Sequence, residues 1–173
     1  MTERDLVEGI QTAIKIEPVL RGAVAFKHAE VLTAGIPDLS VTAHGVTAWL
    51  EVKYLRRSKQ LKDIIKELQI ITCFQLAQHS GGRCWIAVYE ERQPRWLTIW
   101  QPRCLAATLW PKMSIEPIST PGVHVWDGPK TFFGMEPWDA IRFYGAIRVE
   151  GHDHAMVAKL IRGSLVGTVE QAH

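Results

Sequence analysis

The strongest constraint on this chain is the run RCWIAVY at residues 83–89, which follows a long helical pattern closed by Gly81-Gly82. So dense an apolar segment reads as a buried strand. A glycine pair is a natural end for the helix before it. Upstream, Leu39 to Ala43 and Val46 to Tyr54 are rich in β-branched and aromatic residues and flank the turn signal at His44-Gly45. They predict a hairpin beside the buried strand. The helical pattern runs from about Leu61 to His79, with Leu61, Ile64, Ile65, Leu68, Ile71, Thr72 and Leu76 at its apolar positions. A first helix starts at Thr2, whose spacing to Asp5 resembles a capping box. It carries Leu6, Ile10, Ala13 and Ile14 on one face and ends at Glu17-Pro18. Residues 23–26 fit a short strand.

Beyond residue 90 the pattern changes. Six of the seven tryptophans and seven of the nine prolines lie from Trp85 onward, and the periodicity becomes irregular. Arg95 to Trp100 reads as one more edge strand, while Trp138 to Ile147 and Asp153 to Arg162 read as helices. No Gly/Ser linker and no repeat separates the halves. Residues 91–173 are therefore expected to be an elaboration packed on a core at 1–90. At 173 residues, 47% hydrophobic and 22% charged, the chain has the composition of one globular domain with an appendage. Collagen, coiled-coil and low-complexity classes are excluded. No apolar run reaches the roughly 18–20 residues that span a bilayer. The start MTERDLVEGIQ is a charged amphipathic pattern, so no signal peptide is expected. Cys73, Cys84 and Cys104 are odd in number and lack metal-type spacing, which points to a reducing cytosol without a disulfide framework.

The chemistry-bearing stretch is Gly35-Ile36-Pro37-Asp38, followed by Glu51-Val52-Lys53. Side chains alternate across a strand, so Glu51 and Lys53 share one face and Val52 takes the other. A hairpin brings Asp38 near Glu51. Two hard oxygen ligands at one point suit Mg²⁺, which favours carboxylates and keeps several waters. A cation there polarises a phosphodiester and acidifies the attacking water, while Lys53 orients that water or stabilises developing charge. Glu3 shares the inward face of the first helix with Leu6 and Ile10 and offers a third oxygen. The structural alternatives are a turn at Pro37-Asp38, a solvated ion pair at Glu51 and Lys53, and a helix-dipole charge at Glu3.

The order Glu3, Gly35-Ile36-Pro37-Asp38, Glu51-Val52-Lys53 and a helical Gln69 before Gly81-Gly82 resembles the PD-(D/E)XK nuclease superfamily. Within it, the pattern is nearest the VRR-NUC type and the archaeal-type Holliday junction resolvases. The resemblance covers about residues 2–90. It implies an α/β fold with a restriction-endonuclease-like α-β-β-β-α-β core, in which helices flank a mixed central sheet. It also implies Mg²⁺ or Mn²⁺ dependence, a homodimer, and action on branched or flap DNA in recombination and repair. Asp38 and Glu51, with the Val52 carbonyl, would be metal ligands. Lys53 would be the catalytic lysine, Glu3 the accessory acid, and Gln69 the residue positioning water or phosphate, with Gln75 a rival for that part. The setting it implies is the cytoplasm of a prokaryotic or phage-infected cell.

Charge placement agrees. The total is only +2, yet Lys53, Arg56, Arg57, Lys59, Lys62 and Lys66 face a single acidic residue, Asp63, in the same stretch. Beside the proposed active strand, Arg56, Arg57, Lys59, Lys62 and Lys66 suit DNA phosphates, although a solvated helix face is the alternative. Asp153 in His152-Asp153-His154 fits a helix N-cap better than a metal site, and the tryptophans fit core positions better than base stacking. No nucleotide-binding glycine motif is present, so no nucleotide cofactor is expected. The reading is a metal-dependent, structure-selective DNA endonuclease. The alternatives are an exonuclease or restriction-type nuclease of the same fold, or a non-catalytic DNA-binding or assembly protein.

Overall fold

The computed structural model describes residues 1–28, 35–111, 124–126 and 135–166. Helix α1 (Glu3–Ile16) leads through a 3-10 turn (Pro18–Leu20) into strands β1 (Val24–Lys27), β2 (Leu39–Ala43) and β3 (Val46–Leu55). Helices α2 (Leu61–Ile64) and α3 (Glu67–His79) then connect to β4 (Cys84–Glu90). That order is the expected α-β-β-β-α-β. After it come β5 (Trp96–Trp100), α4 (Pro102–Leu109), β6 (His124–Trp126), α5 (Pro137–Tyr144), β7 (Gly145–Glu150) and α6 (His154–Val166). Among the described residues, the seven strands form one mixed sheet in the order β1-β2-β3-β4-β5-β7-β6.

The pairing is antiparallel from β1 to β3, parallel between β3 and β4, and antiparallel again from β4 through β5 to β7. A parallel neighbour needs a crossover, and α2–α3 supply it. β4 lies at the centre, and six of its seven residues are buried, as a strand covered on both faces must be. One apolar cluster joins Leu6, Ile10 and Ile14 of α1 to Leu50 and Val52 and to Val157, Leu160 and Ile161 of α6. The second joins Ile70 and Cys73 of α3 to Ile86 and Val88 and to Leu105 of α4. By strand alternation Glu51 and Lys53 stand on this second side.

The sequence expectations hold for α1, including its capping box: Asp5 N–H donates to Thr2 Oγ1 and Thr2 N–H to Asp5 Oδ2. They hold for the hairpin and for β4. Three need correction. The helix expected over 61–79 is two helices, because Ile65 adopts an extended backbone (φ −110, ψ 124) that buries its side chain in the second cluster. Trp96–Trp100 is an interior strand, flanked by β4 and β7. Trp138 to Ile147 is not one helix: α5 stops where Gly145 takes φ +79, and the chain continues as β7. Only glycine suits that turn, since an added Cβ would collide with Cys104 Sγ. Helix α4 and strand β6 have no counterpart among the sequence expectations. Among the described residues no helix is long and apolar enough to cross a membrane.

Candidate active site

The site forms where β3 outruns its neighbour. β2 begins at Leu39, paired with Leu50, whereas β3 continues to Leu55 with β4 on its other side. The N–H groups of Val52 and Tyr54 therefore point at an edge with no strand, and buried backbone donors need partners. Two carboxylates take that place. Val52 N–H donates to Asp38 Oδ2 at 2.7 Å, and Tyr54 N–H donates to Glu3 Oε1 at 3.3 Å. Asp38 and Glu3, far apart in sequence, are thus anchored two residues apart on one strand. A residue's N–H and C=O point to the same side of a strand, so the Val52 carbonyl faces the same edge as Asp38.

Glu51 and Lys53 occupy the adjoining face and are 2% and 4% exposed. Lys53 Nζ lies 2.8 Å from Glu51 Oε1 and 3.8 Å from Glu3 Oε2. Burial works against the ammonium, but Glu51 first, then Glu3 and Asp38, outweigh it and hold the Lys53 pKa above the ordinary lysine value. Lys53 is accordingly held as a cation beside the carboxylates. Gln69 Nε2 donates to the same Glu51 oxygen at 2.7 Å, while Gln69 Oε1 accepts from Lys66 N–H at 3.2 Å. The break at Ile65 is what puts Gln69 in the first turn of α3, facing β3. Gln75, its rival from the sequence, is exposed.

Two features of this neighbourhood escaped the sequence reading. Gly35 has φ +103, and a Cβ there would lie 2.7 Å from Thr72 Oγ1 of α3. The turn leading to Asp38 is packed against the helix carrying Gln69, so the segments bearing Asp38 and Gln69 are positioned together. Beneath Glu51, the hydrogen bond from Cys73, burial and the Glu51 charge push the Cys84 thiol well above its ordinary pKa.

Arg56, Arg57, Lys59, Lys62 and Lys66 are all exposed, from the end of β3 to the start of α3. Arg57 N–H donates to Glu91 Oε2, and Arg92 donates to the carbonyls of Arg57 and Lys59. Arg92 adds a cation to this loop from the β4–β5 connection. Being more than 30 positions away in sequence, it gave no local signal. The His152-Asp153-His154 triplet is structural: Asp153 Oδ1 caps α6 through Met156 N–H, His152 reaches the Glu90 carbonyl, and His154 reaches Tyr89.

No three His, Cys, Asp or Glu side chains among the described residues form a metal cluster. The donors at hand are two carboxylates and one carbonyl, all hard oxygens, beside a fixed cation. That set fits Mg²⁺ or Mn²⁺, which retain waters, and not a closed thiolate or imidazole site.

No protein-family model matches the chain, and no curated protein matches it. Among solved structures it is similar to Hjc, a Holliday junction resolvase from the archaeal hyperthermophile Archaeoglobus fulgidus, at 18% identity and a TM-score of 0.39. The likeness covers 59% of this chain and 75% of that one. At that level it carries no functional argument, which rests instead on the site.

Proposed function

We propose that this chain is a divalent-cation-dependent DNA endonuclease, acting on junction or flap DNA as a homodimer in cytoplasmic recombination or repair. The observation that carries the reading is that Asp38 and Glu3 take the open edge of β3 while Glu51, Lys53 and Gln69 are bonded together on the adjoining face, with Lys53 reaching Glu3. Asp38, Glu51 and the Val52 carbonyl would hold Mg²⁺ or Mn²⁺. When bound, the cation polarises the phosphodiester and acidifies the attacking water. Lys53, held protonated, donates hydrogen bonds to that water or to the phosphate oxygens and offsets the charge that grows there. Gln69 fixes the Glu51 carboxylate, and Glu3 restrains Lys53 from the far side. Arg56, Arg57, Lys59, Lys62 and Lys66, with Arg92, bind backbone phosphates on either side of the cut.

Branched substrates are favoured because backbone-binding cations adjoin the site while no sequence-reading helix-turn-helix or zinc-finger pattern is present. The test sets linear duplex, single strand, flap and four-way junction side by side with Mg²⁺, Mn²⁺ or excess chelator. Cation-dependent internal cutting, strongest on a branched substrate, is expected. Release of terminal nucleotides alone would make it an exonuclease. Salt-sensitive binding with no cutting of any substrate would make it a binding protein.

A further inference from the structure

We propose that the sheet face beside the carboxylates is a stacking platform for unpaired nucleobases, in which the exposed Phe26, backed by His28 and the half-buried Trp49, receives single-stranded DNA flanking the scissile phosphate. This deepens the nuclease reading and rests on it. Phe26 pairs with Ser40 and Ser40 with Trp49, so their side chains stand in a row across β1, β2 and β3 on one face. Trp49 is two residues before Glu51 on that face, about 7 Å along the strand. The Phe26 and His28 rings have centroids 5.0 Å apart, and His28 stacks on Trp49 at 5.7 Å with an interplanar angle of 25°. The His28 ring is fixed by Ser40, with Nε2 and Oγ 2.9 Å apart. Burial also holds its pKa below the ordinary imidazole value, favouring the neutral ring.

Phe26 nevertheless remains 60% exposed, at the end of an ordered aromatic row. Base–aromatic stacking tolerates any sequence because every base has a π-face. The platform adjoins the candidate site along β3: Trp49 shares the face of the buried Glu51 and Lys53, and the strand runs on to the exposed Arg56 and Arg57, whose charge suits the phosphates of the same DNA strand. A second copy of the chain is the rival occupant, with Leu68 and Ile71 also exposed on α3. Against it, the rings are interspersed with the hydroxyls of Ser40, Thr42 and Thr47, the latter two hydrogen-bonded at 2.8 Å. Serine is depleted where protein partners meet.

The experiment measures fluorescence anisotropy of a labelled oligo-dT and of an abasic oligonucleotide of equal length. Both are titrated in chelator with the wild type, Phe26→Ala and Phe26→Tyr, with sedimentation velocity on each protein. The wild type should bind oligo-dT about tenfold tighter than the abasic strand. Phe26→Ala should erase that preference without changing abasic binding, and Phe26→Tyr should keep it. No preference in the wild type, no binding of either strand, or a preference surviving in Phe26→Ala overturns the proposal. So does a dimer that falls apart in Phe26→Ala with both affinities lost together. Base preference without Mg²⁺-dependent cutting would retain the platform and refute the nuclease reading, and cutting without base preference would do the reverse.

Discussion

Replacing Lys53 with Met tests whether the site is a buried charge assembly or a surface ion pair. The Lys53 and Glu51 side chains are 6% and 2% exposed and lie 2.8 Å apart. Removing one member of such a pair leaves a buried charge uncompensated and costs about 3–5 kcal/mol. Gln69 still donates to Glu51 at 2.7 Å, which places the expected loss near the lower end, about 3 kcal/mol. With a urea m-value of about 2 kcal/mol/M, the unfolding midpoint should fall by about 1.5 M. The double variant Glu51→Gln/Lys53→Met removes both charges and should recover at least about 1 kcal/mol relative to the sum of the single losses. Equilibrium urea unfolding in chelator, followed by tryptophan fluorescence, reads all four proteins. A Lys53→Met loss below about 1 kcal/mol, the range of exposed pairs, would refute the buried assembly, as would strictly additive losses.

The raised Lys53 pKa gives a second expectation. Its stabilising contribution is complete below the unfolded lysine value of 10.5 and is lost as pH rises through the higher folded value. Wild-type urea midpoints should therefore drop more steeply above about pH 10.5 than those of Lys53→Met, and parallel curves would contradict this. Gly35→Ala meets both φ +103 and Thr72; it should cost about 1–3 kcal/mol by urea unfolding and reduce cleavage by displacing Asp38. Replacing Arg56, Arg57 and Lys59 together with Ala should lower the slope of log affinity against log salt for duplex DNA by about 2–3, at roughly 0.9 per phosphate contact. An unchanged slope would remove those residues from the interface.

The parts of the fold legible in the sequence were those set by local rules. The capping box fixed the start of α1, His44-Gly45 fixed the hairpin, and the apolar density of residues 84–89 marked a central strand. The misreadings lie where tertiary demands overrode periodicity. Ile65 fits a helical face, but turning its backbone extended buries the side chain and restarts the helix at Glu67, with Gln69 in its first turn. Residues 145–150 continue an apolar pattern that looks helical from Trp138, until Gly145 turns the chain into the sheet and makes β5 an interior strand. In the candidate site, Asp38, Glu51 and Lys53 were readable from strand alternation. The anchoring of Glu3 on Tyr54 N–H spans 51 positions and depends on β2 stopping short of β3, which no local pattern encodes. Arg92 and the contact of Gly35 with Thr72 were hidden for the same reason.

The most direct measurement compares Mn²⁺-dependent cleavage of a labelled branched DNA by the wild type and by Asp38→Asn. Asparagine keeps an oxygen that can accept the Val52 N–H but removes the ligand's charge, so folding, checked by circular dichroism, should be unchanged. If Asp38 helps hold the cation that polarises the phosphate, the rate should fall by at least about a hundredfold. A folded Asp38→Asn protein that cuts at the wild-type rate, or wild-type cutting that persists in excess chelator, would contradict cation-dependent hydrolysis at this site.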